Sequence, residues 1–559
     1  MFNIKNYISE KVKELLTTNK EVVVEIPPKE NMGDYSVPCF EFSNDQFKSP
    51  NEVANYIKEN FKDDSNYIKS IDVIGPYANF NINFEILANE VIERIEKKEN
   101  QYGSLNQGDN EALLIEHTSL NPNAEPHMGR CRNSLIGDFL SRLYAFTGYD
   151  VERHYLINDL GKKIALLLIG IEEFGLKTDE FTEILEVYVK ISQQAETDES
   201  IEQKAFEYLE LVESGNEEMI KKFKDITSKC VKGQMKIFNQ LDIHFDVFTH
   251  ESNYVYNNYL DDILSKLKEK NKLKEADDGR YYVDLSDYNI ATKEPVLVLT
   301  RSNKTSLYPI KDLAYTMYKM NLNDKHNYIV LGEDHTVYFE QLSATLDILG
   351  YKAPELISYG YVLLGGNKMG ASKGNFVLVN DFIKEIKKAL LESFKERKLE
   401  VDDEKLNILT NASIKFPMLN VTKHKTVNFN MEDATSFNGE SGIYILYSIV
   451  RINSILRNKD NQINSQEIKF ENDIEHQIIK DLYYFEELVN NLLITKESSN
   501  LTKYIFNLTQ KFSTFYEQIN ISNEKDEVLK SSRLRLLNIL KITLTNGLEI
   551  LGIKTVDKM

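Results

Sequence analysis

Residues 116–138 read EHTSLNPNAEPHMGRCRNSLIGD and connect a buried-strand pattern, ALLIEHT, to a helical pattern, NSLIGDFLSRLYAFTG. A Pro, His and Gly turn at the start of a helix presents backbone N–H groups and the positive end of the helix to an anion. His127 and Arg130 add side-chain donors, and Gly129 allows a nucleotide to approach the backbone closely. The sequence therefore predicts a phosphate-binding turn, although an HxG turn alone more often holds a capping or core histidine.

A second Gly-rich segment supports a nucleotide site. GGNKMGASKGNFVLV, at residues 365–379, places Lys368 and Lys373 just before a predicted strand and helix, and a cationic loop can stabilise transient phosphate charge. Taken alone, this pattern more often marks a solvent-exposed loop. The chain has no GxxxxGK[ST] sequence and no GxGxxG after a predicted strand, which excludes the Walker loop and the dinucleotide fingerprint. The two motifs, in this order on one domain, favour a different phosphate-binding device.

The hydrophobic periodicity predicts three domains. Residues 1–105 alternate helical periods with short apolar runs such as EVVVEIPP, and predict a small α+β domain. Residues 106–400 alternate helices with buried-strand runs such as VERHYLIND, PVLVLT, NYIVLG and ISYGYVLL, and predict an α/β domain with a doubly wound parallel sheet. A helical, acidic stretch at about 165–255 is predicted to be an insertion in that domain. Residues 401–559 predict an all-α bundle.

The composition is typical of a soluble globular protein with several cores. The chain has 559 residues, of which 42% are apolar and 28% charged, and this length exceeds what one core usually organises. No stretch approaches the roughly 20 apolar residues of a membrane span, and the amphipathic start MFNIKNYISEKVKELL is not a secretion signal. We therefore expect a cytoplasmic protein without a membrane partner. Cys39, Cys131 and Cys230 are far apart, which favours neither disulfides nor a metal site.

The charge distribution leaves nucleic-acid binding open. The formal net charge of −20 argues against a general affinity for phosphate backbones, and we expect no DNA partner. A local basic segment, KFPMLNVTKHKTVNF at residues 415–429, nevertheless carries Lys415, Lys423, His424 and Lys425 near aromatic residues. This segment is predicted with equal weight to be a nucleic-acid-binding face or an ordinary solvated charge run.

Together, these motifs resemble the arginyl-tRNA synthetase family nearly from end to end. The segment that ends in HMGR resembles the family's SxNPxxPxHxGH stretch, and KMGASKGN resembles its KMSKS-type loop. GDYSVP and IGPYANF look like its N-terminal tRNA-contacting domain, YLINDLGKKI like YxNDxGxQ, LYPIKDLAY like TYxxxDxAY and LGEDH like GADxH. FNMEDATSFNGESGIYILYSIVRINSIL and NGLEILGIKTVDKM resemble the two ends of its anticodon-binding bundle. The resemblance implies a class I, Rossmann-type catalytic domain followed by an all-α anticodon-binding domain.

The resemblance also implies an arginine site and an ATP site. The arginine side consists of Glu116, Asn121, Tyr308, Asp312 and His335. The ATP side consists of His127, Gly129, Arg130, Lys368 and Lys373, of which His127, Arg130 and Lys373 are implied to be catalytic. Carboxylates suit a planar guanidinium, and Tyr308 and Asp312 share one face if their segment is helical. Helix salt bridges and an N-cap are the alternatives for these residues.

The implied reaction is attack of the arginine carboxylate on the α-phosphorus of ATP, loss of pyrophosphate, and transfer of arginine to the terminal ribose of tRNA. Positioning and charge stabilisation would carry it, with Mg²⁺ on the phosphates. Tyr444, Tyr447 and Arg451 share roughly one helical face and are candidates to contact anticodon bases. Core packing is an equal interpretation of the two tyrosines. The implied ligands are ATP, Mg²⁺, L-arginine and tRNA, and we expect a monomer.

Four positions depart from the family pattern. Arg130 stands where the second histidine of HxGH is usual, and Lys163 stands where glutamine closes YxNDxGxQ. A lysine in the pocket would repel an arginine substrate unless it turned outward or paired with Asp159. Ile443 and Leu446 replace the Pro and Gln of the bundle's GPYxQY segment. Three hypotheses remain: a ligase that charges tRNA with arginine, a paralogous adenylating ligase with altered amino-acid or acceptor specificity, and a non-enzymatic tRNA-binding protein.

Overall fold

The computed structural model describes residues 3–27, 32–43, 47–178, 180–255, 259–364, 367–368 and 377–559. Two units result from the packing of the chain. The first comprises Met1–Gly103, Arg451–Glu486 and Asn507–Asn546, and the second comprises Ser104–Val450, Glu487–Phe506 and Gly547–Met559. Within the described ranges, no helix is long and apolar enough to cross a membrane.

The N-terminal part of the first unit is a small α+β domain. Its elements are α1 (Ile4–Leu15), β1 (Tyr35–Pro38), α2 (Pro50–Asn60), β2 (Ile68–Ile74), β3 (Tyr77–Ile82) and α3 (Phe84–Lys98). The strands form an antiparallel sheet in the order β1-β3-β2. The helix α2 begins at Pro50 because Ser49 accepts a hydrogen bond from the Glu52 amide and proline fits the first helical position.

The second unit is built around a five-stranded parallel sheet. Its first elements are β4 (Ala112–Glu116), α4 (Met128–Phe146), β5 (Asp150–Ile157), α5 (Lys162–Phe174), α6 (Phe181–Ala195), α7 (Glu199–Glu213), α8 (Glu217–Gln240) and β6 (Val247–His250). The next are α9 (Ser252–Val255), α10 (Tyr259–Glu269), β7 (Leu273–Glu275), β8 (Tyr281–Asp284), β9 (Val296–Val298), α11 (Tyr308–Leu322), β10 (Asn327–Gly332), α12 (Thr336–Leu349) and β11 (Glu355–Tyr359).

The order of the parallel strands creates a crevice. The sheet runs β11-β10-β4-β5-β6, so the chain builds outward from β4 in one direction and later returns to its other side. Leu113, Leu114 and Ile115 of β4 are all buried, as expected for a parallel strand that is covered on both faces. The strand order reverses between β4 and β10, and ligands bind open α/β sheets at the carboxyl ends of such strands.

The remaining elements are a small sheet and the C-terminal helices. They are β12 (Val362–Leu364), β13 (Asn367–Lys368), α13 (Val379–Glu396), α14 (Asp403–Leu419), β14 (Val427–Phe429), α15 (Met431–Ala434), α16 (Gly442–Leu456), α17 (Asp473–Thr495), α18 (Ser498–Gln518) and α19 (Glu527–Ile550). The strand β12 pairs parallel with β14 and antiparallel with β13. The predicted combination of an α/β domain with a parallel sheet, an α+β N-terminal domain and a helical C-terminal domain is confirmed.

Three local predictions were wrong. PVLVLT contributes β9 to an antiparallel sheet of order β7-β8-β9 instead of the parallel sheet. The strand β6 completes the parallel sheet from within the stretch predicted to be helical. EVVVEIPP was predicted to be a strand, but its described residues, 21–27, form only one bridge, from Glu25 to Ser36, and Pro27 has no N–H group with which to extend it. In each case the pairing partner lies elsewhere in the sequence, and local periodicity carries no information about it.

Candidate active site

A cavity of about 620 Å³ lies at the carboxyl ends of β4 and β10, where the strand order reverses. Eight of the predicted site residues line it: Glu116, Asn121, His127, Gly129, Arg130, Tyr308, Asp312 and His335. The last of these belongs to a short 3₁₀ turn, Glu333–His335, directly after β10. The fold therefore brings the predicted arginine side and most of the predicted ATP side into one cavity.

The phosphate turn is fixed by the chain that follows the lysine loop. His127 precedes the first turn of α4 with extended backbone angles, φ −109° and ψ 156°. The amide of Met128 donates to the carbonyl of Val377 at 2.9 Å, and the amide of Val379 donates to the carbonyl of Pro126 at 2.9 Å. The two motifs that the sequence analysis singled out are thus joined by backbone hydrogen bonds.

The lysines of that loop are only partly described. Lys373 lies outside the described residues, and so does the side chain of Lys368. The backbone of Lys368 belongs to β13, where it pairs with Leu363 of β12. The chain is described again from Val377, which is the residue that contacts the phosphate turn. Both flanks of the loop are therefore placed, although the predicted roles of its lysines stay predictions.

The phosphate turn combines a neutral donor with a cation. Burial, together with the charge of Arg130, lowers the pKa of His127 to about 4. The imidazole is therefore neutral near pH 7, and a neutral imidazole can donate a hydrogen bond through one ring nitrogen. The Arg130 side chain is exposed and carries a permanent charge at the positive end of α4. An anionic ligand at this end of the cavity would meet both groups.

Asp312 forms the acidic end of the cavity. The hydroxyl of Tyr338 donates to Oδ2 of Asp312, and the ring of Tyr308 lies 5.4 Å from that of Tyr338, measured between centroids. Burial raises the pKa of Asp312 to about 6, with a further contribution from the charge of Glu116. A carboxylate flanked by two tyrosines suits a planar cation, because the aromatic faces and the carboxylate attract the same group.

Glu116 also lines the cavity, but an internal cation already neutralises it. Lys319, whose side chain is fully buried, donates to Oε2 of Glu116. The same ammonium lies 4.6 Å from the ring centroid of Tyr315. A carboxylate paired with a buried lysine has little charge left for a second cation. The predicted residue is therefore in place, and it carries a partner that the sequence analysis did not anticipate.

Glu251 is a buried carboxylate that the sequence pattern did not single out; it interacts electrostatically with Asp312 but is not among the described residues that line the cavity. It follows β6 directly, is 3% exposed, and its Oε1 lies 3.6 Å from Nζ of Lys311. Its Oε2 has no hydrogen-bond partner among the described atoms. Burial raises the pKa of Glu251 to about 7, and the charges of Asp312 and Asp159 raise it as well. The signal was the sequence FTHES, a carboxylate at the carboxyl end of a strand that the helical pattern concealed.

The departure at Lys163 does not affect the cavity. Lys163 is exposed on the first turn of α5, and it does not occur among the described residues that line the cavity. Asp159 has other partners: its Oδ2 accepts from the Ser252 hydroxyl at 2.6 Å and lies 3.0 Å from Nδ1 of His250. The outward alternative for Lys163 is thus the one the structure adopts.

The segment between β4 and the phosphate turn is held in a strained conformation. Thr118 and Ser119 have positive φ angles of 74° and 38°, which are unusual for residues other than glycine. The side-chain oxygen of Asn133 on α4 accepts from the Thr118 amide at 2.7 Å. The carbonyl of Asn121 accepts from the Gln234 side chain of α8 at 2.9 Å. These bonds place Asn121 at the cavity edge.

The candidate tRNA residues on α16 are packed against aromatic rings. Tyr444 and Tyr447 are half-buried, and the ring of Tyr444 lies 6.0 Å from that of Phe506. The guanidinium of Arg451 lies 5.2 Å from the ring centroid of Tyr516. These contacts fit the packing interpretation of the tyrosines, and a role for the three residues in binding tRNA stays a prediction.

The basic segment at residues 415–429 is partly internal. Lys415 is fully buried, and its Nζ lies 3.0 Å from Oδ2 of Asp138. Lys423 lies 3.4 Å from Glu497. Two of its cations are therefore matched by carboxylates, which favours a structural role over a nucleic-acid-binding face.

Three family models match the chain. Residues 91–430 match the catalytic domain of class I tRNA synthetases (R). Residues 445–559 match the DALR anticodon binding domain. Residues 3–82 match the arginyl tRNA synthetase N terminal domain. The matches follow one another along the chain in the order that the sequence patterns suggest.

Similar proteins agree with these matches. An arginine–tRNA ligase from Methanosphaera stadtmanae is 33% identical over 574 residues, covering 100% of this chain and 99% of that protein. One from Methanocaldococcus jannaschii is 32% identical, with the same coverage. The arginyl-tRNA synthetase structure from Thermus thermophilus covers 100% of both chains with a TM-score of 0.81 at 23% identity, which shows a common fold.

Proposed function

Because the chain belongs to the arginyl-tRNA synthetase family, we propose that it activates arginine with ATP and transfers it to tRNA in the cavity at the switch point. The main support is that one cavity is lined both by Asp312, whose carboxylate accepts from a tyrosine, and by the start of α4, where His127 is a neutral donor and Arg130 a cation. A guanidinium suits the carboxylate and tyrosine, and a triphosphate suits the N-terminus of α4. The roles assigned below to single residues belong to this proposal.

The arginine guanidinium binds Asp312, with Glu251 as the second carboxylate in place of Glu116. The described ion pairs of this region join Lys311 to Glu251 and Lys319 to Glu116, and none of them involves Asp312. Lys311 and Lys319 are thus engaged by other carboxylates, so Asp312 is the carboxylate of this group that has no described ion-pair partner and that the substrate cation would meet. The unpartnered Oε2 of Glu251 offers a further acceptor. Tyr308 covers the guanidinium, and Asn121 and His335 hold the amino-acid end.

ATP binds at the start of α4. The arginine carboxylate attacks the α-phosphorus, the bond to the bridging oxygen breaks, and pyrophosphate leaves with that electron pair. Next, the terminal ribose hydroxyl of tRNA attacks the arginyl carbonyl, and AMP leaves. His127, Arg130 and the Gly129 backbone hold the phosphates, and Lys368 and Lys373 neutralise charge on them.

Mg²⁺ would accompany the ATP phosphates and neutralise charge there. The described residues contain no group of three or more His, Cys, Asp or Glu side chains suited to a metal ion. A metal carried in by its nucleotide fits such a site better than one held by a protein cluster.

Transfer of radiolabelled arginine to unfractionated tRNA tests the proposal, together with arginine-dependent pyrophosphate exchange with and without tRNA. We expect charging with arginine and no charging with lysine or citrulline, because lysine lacks the planar fork and citrulline lacks the charge. Exchange supported by another amino acid, without arginine charging, would instead identify a paralogous ligase. The absence of any exchange with intact binding to tRNA would identify a non-enzymatic protein.

The KM for arginine is expected to depend on pH. Guanidinium binding requires ionised carboxylates, and burial raises the pKa of Asp312 to about 6 and that of Glu251 to about 7. Affinity should therefore be full above these pKa values and fall as pH drops through them, by at least about tenfold from about pH 8 to about pH 5. Steady-state exchange kinetics measure this effect. Glu251→Gln should make the profile less steep, and an unchanged profile in that variant would remove Glu251 from the site.

Lys163→Gln is expected to have little effect. The side chain is exposed on α5, and exposed substitutions usually change free energies by about 0.5 kcal/mol or less. The KM for arginine should change by less than about threefold, and the choice among amino acids in pyrophosphate exchange should stay the same. A change of amino-acid preference in this variant would instead support the hypothesis of a paralogous ligase.

A further inference from the structure

Arg132 is a buried cation whose contacts the proposed mechanism does not use. It lies on α4, five residues after His127, and its side chain is fully buried. In the described part of the chain it forms no ion pair with a carboxylate, and burial lowers its pKa to about 10, so it stays charged near pH 7. A buried, unpaired cation is costly, and its hydrogen bonds show what offsets that cost.

Arg132 donates only to backbone carbonyls. Nη1 donates to Gly360 at 2.8 Å and to Lys425 at 2.6 Å. Nη2 donates to Val421 at 3.2 Å and to Thr422 at 3.1 Å. The Gly360 carbonyl lies two residues before β12 in the sequence, and the other three carbonyls lie before β14. One guanidinium on α4 therefore holds the segments that lead into the paired strands β12 and β14, which are called the roots of these strands below.

The two backbone segments that Arg132 holds are in close contact with each other. The Gly360 amide donates to the carbonyl of Lys423 at 2.8 Å. A Cβ atom added at Gly360 would lie 2.7 Å from the carbonyl oxygen of His424. Only glycine permits this approach, so the position of β12 is sensitive to small shifts here.

These strands lead to the lysine loop. The strand β12 pairs with β13 at Leu363 and Lys368, and beyond the loop Val377 and Val379 bond to the phosphate turn. Both flanks of the loop are thus attached to the first turns of α4, one through Arg132 and the other through residues 126–128. Arg132 therefore determines the position of the β12 side of the loop relative to His127.

We propose that Arg132 is a positioning residue for phosphate activation, holding the root of the β12–β14 pair, and with it the entry to the lysine loop, in register with the phosphate turn. The proposal rests on the function proposed above. Arg132 acts through Lys368 and Lys373 and does not itself touch substrate. Among the described residues, its hydrogen bonds do not reach α11 or β6, the elements that carry Asp312 and precede Glu251.

Arg132→Lys tests the proposal, since lysine keeps the charge and cannot reach four carbonyls at once. We expect kcat of arginine-dependent pyrophosphate exchange to fall about 10- to 100-fold, because small misplacements of reacting groups have effects of this size. The KM for arginine should change less than about threefold. Lys415→Met is the matched control: it removes another buried cation of the same unit, which bonds to Asp138 and to the Gly552 carbonyl and not to the strands that flank the loop. Its melting temperature should fall similarly while kcat changes less than about threefold.

A double-mutant cycle distinguishes positioning from general destabilisation. In a Lys368→Ala/Lys373→Ala background, Arg132→Lys should lower kcat further by less than about threefold, because the groups through which it acts are gone. Multiplying effects, or a parallel rise in the KM for arginine, would overturn the positioning role. If the lysine background itself leaves kcat unchanged, the loop lysines have no role in the reaction and the positioning role of Arg132 fails, whereas arginine-dependent exchange by the unchanged protein still supports the proposed function. Gly360→Ala, which separates the same segments while keeping Arg132, should reproduce the loss of kcat if Arg132→Lys does not fold.

Discussion

Asp312→Asn is expected to lower kcat/KM for arginine in tRNA-dependent pyrophosphate exchange by about 10²- to 10³-fold, which is about 3 to 4 kcal/mol. Asparagine has the same shape and can still accept from the Tyr338 hydroxyl, so the change removes charge and little else. The guanidinium would then enter a partly buried site without its counter-charge. Most of the loss should be in the KM for arginine, with the KM for ATP nearly unchanged, because the described hydrogen bond of Asp312 is to Tyr338 and not to the phosphate turn.

Glu116→Gln is the matched control, since it makes the same change in the other predicted carboxylate. Its charge is already bound to Lys319, so the variant leaves a buried ammonium unpaired. Breaking a buried pair costs about 3 to 5 kcal/mol of stability, and we expect a lower melting temperature with a smaller change in the KM for arginine. If Glu116→Gln raises that KM as much as Asp312→Asn does, Glu116 holds the guanidinium as the sequence alone suggested.

The parts of the site that follow from sequence are those encoded locally. The turn from β4 into α4 has its strand, its Pro and Gly residues and its helical period within a short segment, and the predicted residues His127, Gly129 and Arg130 do line the cavity. The spacing of Tyr308 and Asp312 likewise predicts one helical face, and both side chains line the cavity from α11. Local signals of this kind survive folding because the element that carries them is continuous in the chain.

The parts that sequence does not reveal depend on distant partners. Lys319 pairs with Glu116 across 203 residues. The hydrophobic period of α11 does not predict that a residue of its last turn contacts the end of β4. Glu251 was missed for a related reason. Its strand, β6, is only four residues long and follows four helices, so a helical period hides it. Its carboxylate becomes a candidate for the site only when β6 is placed beside β5.

Departures from a family pattern are equally hard to judge without coordinates. Lys163 looks disruptive in the sequence because its neighbours belong to the implied site. The structure turns its side chain outward from α5 and leaves Asp159 with His250 and Ser252. A change of charge near a site matters only if the side chain points into the site. In the first turn of a helix such as α5, the sequence alone does not say which way a side chain points.

His127→Ala is expected to lower kcat of pyrophosphate exchange by about 10²- to 10³-fold, the usual effect of removing one donor aimed at developing charge. The KM for arginine should change less than about threefold, because the group stabilises the transition state rather than the guanidinium. The pKa of His127 is lowered to about 4, so the imidazole acts as a neutral donor throughout the assay range. The loss should accordingly be the same at about pH 6 and about pH 8.

Salt separates the contribution of His127 from that of Arg130. A hydrogen bond from a neutral imidazole is largely insensitive to ionic strength, whereas an exposed guanidinium is screened, with a Debye length of about 3 Å in 1 M salt. Arg130→Ala should therefore lower kcat/KM for ATP strongly at low salt and weakly at high salt. The loss in His127→Ala should persist at both. If the His127→Ala loss also shrinks with salt, its imidazole acts as a cation in the ATP complex, and bound phosphate must then have raised its pKa from about 4 to above the assay pH.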